Sequence, residues 1–316
     1  MNCCSFSFKN KIFALFFLSC FARLKISGVR KNICLLGSES SSMIFGLQTR
    51  WVMLVLKFGG ASVAKTESFL KIANLIIERQ KQHKEIVVVI SAMANTTDQL
   101  LQMGKEVNPN PPRREQDMLV SAGERVSIAL LAMALSAKGV SAVSFTGSQS
   151  GIITCDQHAD AQIIDVRPHR LLPVLAQGRI AIVAGFQGVS RKGEITTLGR
   201  GGSDTSAVAL AVALRSPVVE FYKDVPGIFE TDPKKNSTAR LFSSLSYEKA
   251  LQLAVAGAKV LNPRSIELAA KNGVQLWIRS FENPQEGGTL VGDEGLLKGE
   301  MNYEINHTNE DLKVGG

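Results

Sequence analysis

Cysteine is scarce in this chain and unevenly placed. Four of its five cysteines, Cys3, Cys4, Cys20 and Cys34, precede residue 52, and Cys155 stands alone in the 264 residues that follow. A lone thiol there cannot close an intrachain disulfide, which fits a reducing compartment. None of the cysteines before residue 52 is paired with histidine at metal-ligand spacing, so no zinc site is expected. Acidic residues are almost absent from residues 1–52, which hold seven lysines and arginines against the single Glu39 and so carry +6 of the formal net charge of +8. The remaining body is nearly neutral, which argues against a nucleic-acid footprint. Nor does the apolar run at residues 12–22 suffice to span a bilayer, since its 11 residues fall well short of about 20.

Residues 1–52 are foreign in composition to the rest. The apolar run behind Lys9 and Lys11 resembles a signal-peptide core, and the basic, serine-bearing character resembles an organelle transit peptide. A third reading is that Met53 is the true start. A cytoplasmic protein is expected, with a plastid as the alternative if residues 1–52 are a transit peptide.

From Met53 the pattern alternates strand and helix. Strands are expected at residues 54–58, 85–90, 139–145, 179–186, 218–222 and, last, 274–279. Helices are expected from Thr66, over 119–135 as one buried helix, over 207–214, over 245–256, and over 263–271 with Asn262 as cap and Pro263 at its first position. Alternation of this kind predicts an α/β fold, a three-layer αβα sandwich with a mainly parallel sheet. Ligands in such sheets sit beyond the carboxyl ends of the strands. The polar, glycine-rich segments all follow strands and should converge there. No internal repeat is visible.

The organising stretch is residues 196–211, in which Thr-Thr-Leu-Gly-Arg-Gly-Gly-Ser-Asp-Thr-Ser runs directly into an apolar helix. Gly199, Gly201 and Gly202 permit positive φ and close approach of a ligand to bare backbone. Ser203 and Thr205 are N-cap candidates, and a helix N-terminus suits phosphate or carboxylate. Arg200 adds a planar fork for a carboxylate, with the acid Asp204 nearby. Two common glycine fingerprints are excluded. The loop has no Lys-Ser/Thr pair of the P-loop type, and Asp204 occupies the third glycine position of the dinucleotide pattern.

Other segments carry possible chemistry. Lys57 precedes a tight Gly59-Gly60 turn, as a phosphate-directed charge or a plain surface lysine. Glu124 enters an otherwise apolar helix, either to meet a cation or to face the helix dipole. Lys223-Asp224-Val225-Pro226-Gly227 ends a strand, and Lys259 stands between two helix ends.

Together, Lys57–Ser62, Ser91 through Thr97, Ser121–Glu124, Thr197–Thr205, Lys223–Asp232 and Gly257–Arg264 stand in the order and spacing of aspartate kinase, a member of the amino-acid kinase superfamily. The resemblance covers residues 53–292, with 293–316 a polar tail. It implies ATP- and Mg²⁺-dependent phosphorylation of the β-carboxylate of L-aspartate to 4-phospho-L-aspartate, the first step toward lysine, threonine and methionine, by a homodimer with no nucleic-acid or membrane partner. Carried over by position, Lys57 and Lys259 would contact the ATP phosphates, with Asp204 orienting both. Ser91, Thr97, Glu124, Arg200 and Ser203 would bind the amino acid. Lys57, Gly59, Gly60, Ser62, Lys223, Asp224, Phe229, Lys234 and Lys259 would bind the nucleotide, and no resident metal ligand is implied. Other readings are a kinase of glutamate, acetylglutamate or a nucleotide, or a non-catalytic binding remnant.

Four positions depart from the common family pattern. Ala61 and Lys223 stand for Thr, Phe229 for Tyr and Asn262 for His, and all are expected beside the catalytic groups rather than on them. The family's paired C-terminal ACT domains have no counterpart here, so feedback control by lysine or threonine through them is not expected.

Overall fold

The structure is a computed structural model, and it describes residues 53–231, 233, 235–236, 238–292 and 301–305. Residues 1–52, whose leader readings were given above, lie outside the described residues, as do Asp232, Lys234 and His307.

In chain order, β1 (Met53–Phe58) leads through a short 3₁₀ turn (Gly60–Val63) into α1 (Thr66–Gln80) and β2 (Glu85–Ile90). Helices α2 (Thr96–Val107), α3 (Arg113–Val120) and α4 (Ala122–Ser136) precede β3 (Ala142–Phe145), β4 (Ile152–Thr154) and β5 (Ile163–Val166). Next come α5 (Leu172–Ala176), β6 (Ile180–Ala184), β7 (Gln187–Ser190), β8 (Ile195–Thr197) and α6 (Gly202–Ala213). The last elements are β9 (Val218–Lys223), β10 (Ser244–Leu245), α7 (Tyr247–Val255), α8 (Pro263–Asn272), β11 (Gln275–Ser280) and β12 (Thr289–Val291).

Eight strands form the main sheet in the order β10-β12-β11-β9-β1-β2-β6-β3. Every pairing is parallel except β11 with β12. The continuous apolar run of β2 is explained by its position, because both faces of the sheet are covered. Val87 and Val89 join Val55, Val183 and Phe221 in one core. Ile86, Val88 and Ile90 join Leu54, Leu56 and Ile182 in another, against Phe69, Ile72 and Ile76 of α1 and Leu131 and Leu135 of α4. Helix α6 is buried along its length except for its last residue, Ala213, and packs into the first core. Its Gly, Ser and Ala residues are small enough to let it sit among neighbours on every side.

The fold class expected from sequence is the one observed. The expected single helix over 119–135 is instead broken at Ser121 into α3 and α4. The four-stranded sheet β5-β4-β7-β8 was not anticipated, and β12, not β11, is the last strand among the described residues. The missed strands have two to four residues each, too short for a period-two pattern to stand out. Arg113–Ser136 is long and apolar enough by composition to cross a membrane, but Ile128, Leu131 and Leu135 place it in the core.

On the face of β9 that packs against α1, a charged network is sealed into the protein. Glu220 accepts from Arg79 Nε at 3.0 Å and from the Tyr222 hydroxyl at 2.6 Å, with Arg279 Nη1 at 3.6 Å. Burial, with the Glu220 carboxylate beside it, pushes the Tyr222 hydroxyl far above its usual range, so it stays a donor. Removing one partner of such a cluster leaves the others charged and buried. Glu220→Ala should therefore lower unfolding free energy by about 3–5 kcal/mol. Urea unfolding followed by circular dichroism checks this, and a loss under 1 kcal/mol would show that water reaches the two arginines.

Candidate functional site

The carboxyl ends of β1, β2, β6 and β9 are neighbours in the sheet, and the polar segments that follow them meet there. Lys57 is the penultimate residue of β1, and Lys223 closes β9. Asp204 belongs to the first turn of α6. Its carboxylate takes both lysines: Lys57 Nζ lies 2.6 Å from Oδ1, and Lys223 Nζ lies 2.9 Å from Oδ2 and 3.2 Å from Oδ1. Lys57 and Asp204 are buried and Lys223 nearly so. Two ammonium groups on one carboxylate leave a net positive charge out of water.

The electrostatic consequences follow. Burial lowers the Lys57 ammonium from 10.5 to about 8, helped by the like charge of Lys223 and opposed by Asp204. Burial alone would raise the Asp204 carboxyl, but the two lysines outweigh it and hold it at about 2. The cluster is thus charged at neutral pH and short of one anion.

Glycines open the space beside it. The backbone turns at Gly59, and the Ser62 hydroxyl donates to the Tyr222 carbonyl at 3.1 Å, tying the turn to the end of β9. Gly60 faces the segment after β2 so closely that a Cβ would lie 3.2 Å from the Ala92 carbonyl oxygen. Such a bare turn beside buried cations suits a phosphate chain.

Glu124, in the first turn of α4, is buried. Its Oε1 accepts from the Ala92 N–H at 3.2 Å, while Oε2 is buried with no hydrogen-bond partner among the described residues. Burial raises its carboxyl to about 7 despite that bond and the nearby Gln187 amide. An orphaned acidic oxygen of this kind is what an incoming cation would satisfy. Arg200 is its opposite. Its side chain is 89% exposed, 3.5 Å from Asp98, while its carbonyl is held by the Asn262 amide at 2.9 Å.

The other expected residues are placed as follows. Ser203 is buried inside α6, and Ser91 and Thr97 are half-buried at the end of β2 and the start of α2. Asp224 is exposed just past β9, and Phe229 is half-buried in a bridge to Leu241. Lys234 is not among the described residues. Three expectations are corrected. The cap of α6 is Gly201, with φ of +83° and no side-chain bond, and both Ser203 and Thr205 lie within the helix. Asp204 orients Lys57 together with Lys223, not with Lys259, which is exposed. Lys223 and Asn262 were expected beside the working groups, yet each bonds directly to the loop that carries them.

One hub was missed altogether. Buried Asp117 of α3 receives His158 Nδ1 at 2.7 Å, the Ala159 N–H at 3.1 Å and the Thr197 hydroxyl at 2.5 Å. It joins segments 41 and 80 residues away, and no local pattern could announce that.

Comparison with known proteins follows from this geometry. The amino acid kinase family profile matches residues 52–280. The chain is 50% identical over 243 residues to an aspartokinase of Geobacillus stearothermophilus, covering 77% of this chain and 59% of that one. Among solved structures it is similar to aspartate kinase from Synechocystis, with a TM-score of 0.69 and 43% identity over 77% of this chain and 40% of that one. It is also similar to E. coli aspartokinase III in complex with aspartate and ADP, with a TM-score of 0.70 and 28% identity over 77% and 65% of the two chains. The chain spans about 60% of the length of the curated relatives it matches.

Glu124 yields a test of its own. With a folded pKa near 7 against 4.5 in the unfolded chain, the native state holds the extra proton between those values. Stability is then greatest below about pH 4.5 on this account and declines as pH rises to about 7. Glu124→Gln removes the titration, so the ligand-free variant should gain about 2–3 kcal/mol over the parent at pH 8 and lose that advantage at pH 5. Paired urea melts at the two pH values measure it, and parallel stability curves would sink the assignment.

Proposed function

Because the chain belongs to the amino acid kinase family, we propose that it transfers the γ-phosphoryl group of ATP to the β-carboxylate of L-aspartate, giving 4-phospho-L-aspartate. The observation that carries this reading is the buried Lys57–Asp204–Lys223 cluster at the strand ends, a cationic seat for phosphate beside a glycine turn. The similarity to aspartokinases, one of them solved with aspartate and ADP, supplies the acceptor. This step opens the biosynthetic route to lysine, threonine and methionine.

A carboxylate nucleophile is already ionised at neutral pH, so the site needs no general base. Catalysis rests on positioning and on cations near the developing charge. Lys57 and Lys223 supply two ammonium groups held ready by Asp204, and the backbone of Gly59, Gly60 and Ser62 leaves room for the phosphates. Asp224 and Phe229 meet the nucleotide beyond β9. Lys259, exposed after the left-handed Gly257, is the further cation assigned to the phosphates by family resemblance. Glu124 Oε2 takes the amino acid's ammonium and Arg200 its α-carboxylate, with Ser91, Thr97 and Ser203 completing the pocket. Mg²⁺, when bound, neutralises part of the phosphate charge. Among the described residues no three His, Cys, Asp or Glu side chains gather, so the nucleotide's own oxygens would supply most of its ligands.

The test is ADP release with Mg-ATP in the presence of L-aspartate, L-glutamate or no acceptor, with hydroxylamine to trap the acyl phosphate. Aspartate should drive turnover, and Lys57→Ala should reduce it by about 10²–10³-fold, the loss typical of a donor aimed at developing charge. Glutamate-driven turnover alone would overturn the assigned acceptor. The pH profile gives a second check. Lys57 must be protonated, and its free-enzyme value near 8 sets an alkaline limb, so kcat/KM should fall above about pH 8. Lys57→Arg, always charged, should move that limb upward while lowering kcat.

A further inference from the structure

The loop that carries Arg200 is gripped from outside by Asn262 and Arg264, at the end of the Gly257–Arg264 segment, and by Glu304, none of which has been given a role in binding. Arg264, in the first turn of α8, uses its whole guanidinium for this. Nη1 donates to the Leu198 carbonyl at 2.7 Å and to Asp160 Oδ1 at 2.9 Å, and Nη2 donates to the Ala161 carbonyl at 2.7 Å. Nε meets Glu304 Oε1 at 2.6 Å. Leu198 directly precedes the Gly199–Arg200–Gly201 turn. Asn262, two residues before Arg264, accepts from the Arg264 N–H with its Oδ1 and donates from Nδ2 to the Arg200 carbonyl at 2.9 Å.

The turn is packed as well as bonded. Gly199 and Gly201 sit at φ of +75° and +83°. A Cβ on Gly199 would lie 2.8 Å from Asp160 Oδ1, and one on Gly201 would run into the Asn262 amide. The backbone of the loop is therefore held between α8 and the segment before β5, while the Arg200 side chain stays in solvent.

Glu304 brings a third piece of chain to the same point. Its Oε2 accepts from the Ile163 N–H at 2.6 Å, and its own N–H donates to the Ile163 carbonyl at 3.1 Å. Beside it, Asn302 exchanges two bonds with the Asn272 side chain at 2.7 and 2.8 Å, and the Tyr303 ring is buried in the core around α6. Residues 301–305 thus form a strap from the end of α8 to β5, and its only carboxylate is spent on Arg264 and Ile163.

We propose that Asn262, Arg264 and Glu304 form a positioning clamp that sets the Arg200 loop for the carboxylate of the acceptor amino acid, with residues 301–305 as its fastening. The inference rests on the reading of Arg200 given above. An arginine that reaches a ligand from an exposed side chain keeps its aim only if its backbone does not move. The fork geometry of Arg264 is what joins four carbonyl and carboxylate partners at one guanidinium, and a lysine cannot reproduce it. The clamp touches nothing in the Lys57–Asp204–Lys223 cluster, so acceptor binding and nucleotide binding should separate in its variants.

The experiment compares Glu304→Ala and Arg264→Lys with the parent by two readouts. Amide hydrogen exchange over residues 196–204 should quicken about tenfold, with the β1 and β2 amides unchanged, as local opening requires. KM for L-aspartate should rise about tenfold with KM for ATP within twofold, the cost of a misplaced binding group. Asn262→Ala, which spares the Arg264 charges, should repeat the pattern more mildly. Unchanged exchange over 196–204, or exchange raised equally everywhere, overturns the clamp. Quickened exchange with an unchanged aspartate KM overturns its service to the acceptor. A parent enzyme inactive on aspartate, with the local exchange effect intact, sinks the functional reading and leaves the clamp standing.

Discussion

Asp204 carries two lysines on one carboxylate, and much of the architecture exists to make that arrangement possible. An isolated charge moved into a protein interior costs several kcal/mol, and pairing offsets it only with close geometry. Here the geometry comes from strand order. β1 and β9 are hydrogen-bonded neighbours, so Lys57 and Lys223 arrive side by side at the same end of the sheet. Helix α6 then delivers Asp204 from the opposite layer, which requires its first turn to approach the sheet closely. The small residues of α6 and the left-handed Gly201 that starts it permit that approach. A larger residue in that turn would push away the carboxylate on which both ammonium groups depend.

With one positive charge in excess, the cluster is incomplete without an anion, and the strain falls on Lys57. Its ammonium is more buried than that of Lys223, and burial drives it down to about 8. Lys223, partly open to solvent, can trade Asp204 for another oxygen at lower cost. The site thus combines a deeply buried cation with one partly open to solvent. A phosphoryl group in transfer spreads its charge over several oxygens, which is the kind of anion that two adjacent cations are suited to meet.

How much of this was legible depended on whether the signal was local. The parallel sheet was readable because β2 is apolar without interruption, and α8 because Asn262 and Pro263 punctuate its start. Lys57, Glu124, Arg200 and Asp204 stood out as charges next to glycines or in apolar runs. The cap of α6 was misread because serine and threonine are good caps in general, while the φ required here is positive and only glycine meets it easily. The pairing of Lys223 with Asp204 was hidden for another reason. Nineteen residues and a change of layer separate them, and only the register of β9 beside β1 brings them together. Asp117 and Glu304, and the contacts of Arg264, were invisible because each acts across 40 residues or more of chain.

The two departures from the family pattern that bond to the loop, Lys223 and Asn262, fall at opposite ends of it. Lys223 loads the Asp204 end with extra positive charge, and Asn262 pins the Arg200 end through a backbone carbonyl. Both act on residues 199–204, yet by different physics. The first changes the field at the strand ends and is screened little because it is nearly buried. The second changes no charge at all and works only through position. A loop governed this way can be shifted in position without disturbing its electrostatics, and the reverse. That independence follows from having a rigid backbone between a buried acid and an exposed guanidinium four residues apart.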